Sequence, residues 1–196
     1  YYGQIIVATH PHIGNYGVAA DESESDQVQI AGLVVRTFSE IYSRAGASGS
    51  LQDFLETSNT TGIAGVDTRA LVRHMRERGS MNAIISSETT DVAELQAQLA
   101  QHPQMEGLEL AREVSQHAPY RFGQEGGRYR VAVLDLGIKQ NILKSMARRG
   151  LDCLVFDAHT PLEELNKFDP HGYFVSNGPG DPAATPYAVE ACKGML

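Results

Sequence analysis

Ser176-Asn177-Gly178-Pro179-Gly180-Asp181-Pro182 is the stretch of this chain best suited to chemistry, and it directly follows the apolar run Tyr173-Phe174-Val175. Two glycines around a proline stop a strand and force a sharp turn, which leaves amide N–H groups exposed and able to hold an anion. In an open α/β sheet, ligands sit beyond the carboxyl ends of the strands, where this turn falls. A lone Gly-Pro-Gly is usually an ordinary strand-to-helix loop, so the elements around it must decide.

Other candidates carry less chemistry. His10-Pro11-His12 brings two imidazoles close, but no carboxylate or cysteine cluster accompanies them, and it reads as a structural loop. Cys153 lies inside an apolar run and Cys192 in the final helical stretch; both read as packing residues, and neither occupies a nucleophile elbow. Asp135 ends a strand, where a single carboxylate reads as a turn former rather than a phosphoacceptor or ribose ligand. Arg69, Arg73, Arg76 and Arg78 make one helix basic. They read as a solvated face, the functional alternative being a docking face for an acidic partner surface.

The elements that must position the glycine turn begin at Tyr129. Val131–Asp135 is an apolar run of buried-strand type, broken by Leu136-Gly137. Over 139–149, Ile142, Leu143, Met146 and Ala147 form one helical stripe, Arg148 and Arg149 suit the negative helix end, and Gly150 is a C′ residue. A strand over 151–156 follows. Thr160-Pro161-Leu162-Glu163 then reads as N-cap, N1 proline and capping-box glutamate of a helix over 161–167. With a strand over 173–176, the order is β-α-β-α-β, the signature of a parallel sheet with right-handed crossovers.

Upstream, strands are predicted at Gln4–Ala8, Ile30–Val35 and Met81–Ser86. Asp67 caps a helix that Gly79 stops, and Asp91 caps another running to about Gln101. Ser43–Ser50 reads as a flexible loop. Residues 1–118 are assigned to an N-terminal α/β domain, 119–130 to a linker and 131–196 to the parallel-sheet domain. A formal net charge of −8 with no dominant basic patch argues against nucleic-acid binding, and 42% hydrophobic content suffices for real cores. No apolar run is long enough to span a bilayer.

The resemblance these residues carry is specific. Val133 to Leu143, reading Val-Leu-Asp-Leu-Gly-Ile-Lys-Gln-Asn-Ile-Leu, and Ser176 to Pro182 resemble the opening of the glutamine amidotransferase domain in the small-subunit family of carbamoyl-phosphate synthetases. Pro11 to Gly17, Gln27 to Arg36, Ile63 to Arg69 and Gly79 to Ile85 resemble that family's N-terminal domain, with His10 standing where an aromatic is more usual. The expected fold is a mixed N-terminal α/β domain followed by the first part of a flavodoxin-like class I amidotransferase domain.

The resemblance implies glutamine hydrolysis through a cysteine thioester, with ammonia passing to a large synthetase subunit. That partner would use bicarbonate, ATP and a divalent metal such as magnesium to make carbamoyl phosphate for arginine and pyrimidine synthesis. The expected setting is cytoplasmic and hetero-oligomeric, with no cofactor in this subunit. The family's nucleophilic cysteine, histidine and glutamate match nothing in these residues, so the chain is expected to be a fragment lacking both ends, with no catalytic residue in its span. The substrate contacts carried over are Gly178, as backbone donor to the glutamine carbonyl, and Gly180, toward the amino-acid end, with Pro179 stiffening the turn. A side chain at 178 would fill the carbonyl's space and oppose any φ > 0 the turn requires. Two other readings are open: a flavodoxin-like or receiver-type module, which would need an acidic cluster after the first strand, and a catalytically inactive docking protein.

Overall fold

The computed structural model describes residues 1–196, which divide into two compact units, Tyr1–Gln104 and Met105–Leu196. In the first unit the chain forms β1 (Ile5–Val7), β2 (His12–Ile13), β3 (Gly32–Val34), β4 (Thr37–Phe38), α1 (Leu51–Thr57), β5 (Thr61–Ile63), α2 (Thr68–Arg78) and α3 (Val92–Gln101). A parallel sheet runs in the order β1-β3-β5, beside a parallel pair β2-β4. Its core is Leu33, Val35 and Leu55, with Ile6, Ala8, Ile13 and Phe38 packed against them.

The carboxylates of Asp67 and Asp91 accept the N–H groups of Ala70 at 3.1 Å and Ala93 at 2.8 Å, so both predicted caps form. Two expectations need correction here. Met81–Ser86 enters no ladder, because its Ile85 side chain packs over Gly32 and serves the face of the sheet rather than its edge. Ser43–Ser50 is tied down: Ser43 N–H donates to Asn15 C=O at 3.1 Å, Ser48 N–H to Val18 C=O at 2.8 Å, and Ser50 caps α1 through Asp53 N–H at 3.0 Å.

The second unit contains α4 (Ala111–Val114), β6 (Tyr120–Gly123), β7 (Tyr129–Asp135), α5 (Gln140–Arg148), β8 (Leu151–Asp157), α6 (Leu162–Asn166), β9 (Gly172–Val175) and α7 (Pro186–Met195). Its sheet has the order β6-β8-β7-β9, with β6 antiparallel and the other three parallel. The predicted β-α-β-α-β run is therefore present. Residues 119–130 are not a linker, since they contain edge strand β6 and the start of β7, and the two units divide at Gln104, ahead of them. A four-residue edge strand exists only through its distant pairing with β8, which local composition does not encode. At α6, Pro161 rather than Thr160 occupies the cap, without a side-chain bond; Thr160 N–H instead closes a turn onto Asp157 C=O at 3.0 Å.

Strand alternation sorts the core into two faces. Val133, Cys153 and Val155 pack with Leu143 of α5 on one face. Ala132, Leu134 and Phe156 pack with Leu165 of α6 and Ala188 of α7 on the other. The α5 crossover thus lies on the opposite face from α6, and the sheet grows outward in both directions from β7. That reversal opens a crevice at the carboxyl ends of β7 and β9.

Candidate functional site

Two turns meet at this crevice. After β7, the Asp135 carboxylate, only 2% exposed, accepts N–H groups from Gly137 and Ile138 at 2.8 Å each and from Gln116 at 3.3 Å. It acts as the turn former read from the sequence. After β9, buried Ser176 accepts the Leu136 N–H on its hydroxyl at 2.8 Å and donates that hydroxyl to Asn177 C=O at 2.7 Å. The Asn177 amide reaches the Gly137 carbonyl at 3.4 Å, so the turns hold one another.

Gly178 needs to be glycine because of its neighbour. A Cβ there would stand 2.2 Å from the Leu136 carbonyl oxygen, far inside contact distance. This corrects the expected reason: its backbone has no positive φ, and the space a side chain would take belongs to Leu136. Gly178 itself is exposed, and its N–H donates to no group within the chain. The positive φ, +87°, is at Gly180, where a Cβ would stand 2.6 Å from the Leu108 carbonyl oxygen.

The segment beside Gly180 clamps the turn. Glu109 and Gly180 form an antiparallel bridge, and Asp181 N–H donates to Leu108 C=O at 2.9 Å. The Asp181 carboxylate accepts Gly107 N–H at 2.8 Å and Ala183 N–H at 2.9 Å, and these bonds hold it below its ordinary value of 3.8. Because the folded value is the lower one, the clamp stabilises fully above about pH 4 and loses its contribution as pH falls through the folded value. An Asp181→Asn variant should therefore be less stable than wild type at neutral pH, with the difference shrinking below pH 4. Denaturant titrations at pH 3 and pH 7 check this; a gap that widens in acid contradicts it.

A second group at this end gave no signal in the sequence, because its members are distant in the chain. Tyr187 of α7 donates its hydroxyl to Glu109 at 2.8 Å and stacks on the His159 ring at 4.0 Å. Burial, followed by the carboxylate of Glu109, pushes the Tyr187 phenol well above its ordinary value. His117 and His159 each lie 3.6 Å from the Asp157 carboxylate. These contacts brace α7 and the 105–110 segment around the turn.

The thiols are placed for packing. Cys153 is fully buried in β8 with its sulfur 3.7 Å from that of Met146, and burial, followed by the Asp152 charge, raises it. Cys192 is a half-buried residue of α7. A groove of about 580 Å³ lies in the first unit between residues 18–28 and α1. His10 and His12 are exposed, with His12 in β2 and no metal-holding group of side chains around them.

A parallel sheet whose strands run 2-1-3, with a glycine turn presenting a free N–H at its switch point, is the arrangement of a flavodoxin-like α/β domain. The family described as glutamine amidotransferase class-I matches residues 132–196, and the one described as carbamoyl-phosphate synthase small chain, CPSase domain, matches residues 1–85. Carbamoyl phosphate synthase small chains are 40% identical over 195 residues in Chlorobaculum tepidum and 44% identical over 204 residues in Mycobacterium tuberculosis strain CDC 1551. That of Vibrio vulnificus is 38% identical over 212 residues. Each alignment covers all of this chain and 53%, 54% and 56% of the relative, so the chain spans about half the length of the curated relatives it matches. Along its whole length the chain is similar to carbamoyl phosphate synthase small chains.

Proposed function

We propose that this chain contributes the glutamine-carbonyl side of a glutaminase site in a carbamoyl-phosphate synthetase. The observation that supports this is the exposed Gly178 N–H, unused within the chain and fixed at the switch point of the sheet. Attack on the glutamine amide creates an oxyanion, and a donor already held in place stabilises it without reorganisation. Asp135 and Ser176 hold the two turns, and Leu136 backs Gly178, so the donor's position is set before substrate arrives. Gly180 takes the amino-acid end of glutamine through its backbone, since its α-carbon is covered by residues 108–110. Ammonia released at the site passes to a large synthetase subunit, where bicarbonate, ATP and a divalent cation such as magnesium complete carbamoyl phosphate for arginine and pyrimidine synthesis. This chain holds no cofactor of its own, works in the cytoplasm and forms a hetero-oligomer with that subunit.

The 196 residues by themselves should bind without turning over, because neither thiol is placed or activated as a nucleophile. Incubation of the purified chain with glutamine should release no glutamate above background, before or after alkylation. Turnover abolished by alkylating Cys153 or Cys192 contradicts the assignment.

A further inference from the structure

Every cationic side chain of residues 1–104 is an arginine, and four of them, Arg69, Arg73, Arg76 and Arg78, lie on the single helix α2. Leu71, Val72 and Met75 turn inward, half-buried, together with buried Thr68. Spacings of four and three residues put Arg69, Arg73 and Arg76 in one exposed row beside that stripe. No carboxylate lies within ion-pair distance of any of the four, whereas Arg44 in the same unit is paired with Glu22 at 2.9 Å. Four acidic residues cluster in Asp21, Glu22, Glu24 and Asp26; α2 itself carries one carboxylate, Glu77, with Asp67 at its cap, and neither is ion-paired with the arginines. Large apolar residues stand exposed on the chain at either end of the helix: Ile63, 44% exposed, before it and Met81, 44% exposed, after it.

Charge for solubility alone is served by lysine as well as by arginine. Arginine is more weakly hydrated, offers a planar fork that matches a carboxylate, and is enriched at protein interfaces, where lysine is depleted. A row of unpaired forks with apolar residues beside it fits a carboxylate-bearing protein surface. It fits a polyanion poorly, because the acidic loop of the same unit and the net charge of −8 repel one.

We propose that Arg69, Arg73 and Arg76 of α2 form a docking row for an acidic protein surface, and, resting on the functional reading above, that this surface belongs to the large synthetase subunit. The test measures affinity between full-length small and large subunits at low and high salt. R69E/R73E/R76E should weaken association by roughly 10–100-fold at low salt and flatten its salt dependence, since these charges are lost from the interface. Replacing the three with lysine keeps the charge but removes the forks, and should give a smaller, measurable loss. R128E/R148E, a charge change in the second unit, should leave affinity unchanged. Thermal melts should show every variant folded, with only a small downward shift from reversing Arg76 and Arg148 in the last turns of their helices, because all the replaced side chains are exposed. Equal affinity of wild type and the triple variant overturns the docking row while leaving the functional reading intact. So does an equal loss in R128E/R148E, which would reduce the effect to overall charge, and so does tighter binding of a nucleic-acid polyanion than of the large subunit. Absence of any wild-type complex overturns both readings.

Discussion

Replacing Gly178 with alanine in the full-length subunit should lower glutamine-dependent carbamoyl-phosphate synthesis by roughly 10²–10³-fold, the loss typical of one oxyanion donor. Even the single added carbon would sit 2.2 Å from the Leu136 carbonyl oxygen, so the turn must move and carry the Gly178 N–H with it. Under the proposed function, free ammonia bypasses the glutaminase site. Ammonia-dependent synthesis by the two-subunit enzyme should therefore persist near wild-type rates, which also shows that the variant folds and docks. Equal loss of both activities would place the damage in folding or docking. Unchanged glutamine-dependent activity would mean that the turn is only a connection between β9 and α7.

The second large effect is expected at Asp135. Its buried carboxylate accepts three backbone N–H groups, from Gly137, Ile138 and Gln116. Asp135→Ala leaves all three without this acceptor, and a buried unsatisfied donor costs about 1–3 kcal/mol. Partial rescue by water brings the expected total to roughly 2–4 kcal/mol, read as a lower urea midpoint with an unchanged slope. Asp135→Asn keeps one acceptor oxygen and should fall between wild type and alanine. A loss below about 0.5 kcal/mol in the alanine variant would show that the 136–138 turn holds without its carboxylate.

Where the chain carries strong local signals, the sequence sufficed. Val131–Asp135 is an unbroken apolar run, the stripe Ile142-Leu143-Met146 has helical period, and Gly150 takes φ +76° as a C′ glycine does, so the β-α-β-α-β order was legible. Asp67 and Asp91 were readable as caps for the same reason, since a cap is decided within three residues. Elements made by distant pairing were not readable. Edge strand β6 owes its existence to Cys153 and its neighbours on β8, and the short strands β2 and β4 hold only each other.

The site divides along the same line. Gly178 and Gly180 stood out by composition, but which of them needs a positive φ was decided by carbonyls of Leu136 and Leu108, residues far away in the chain. The Glu109–Tyr187 bond joins residues 78 positions apart, and neither residue alone suggests it. Ser176 was visible as part of the motif, yet its bond to Leu136 N–H links two strands and needed the sheet to be seen.

The most direct measurement is the amide resonance of Gly178 in full-length subunit labelled with nitrogen-15, recorded as glutamine is added. A donor that meets the glutamine carbonyl should show its proton moving downfield with saturation that follows binding, while the Gly137 amide, already held by Asp135, stays in place. Saturable glutamine binding with an unmoved Gly178 resonance would contradict the account, because the substrate carbonyl would then be held elsewhere.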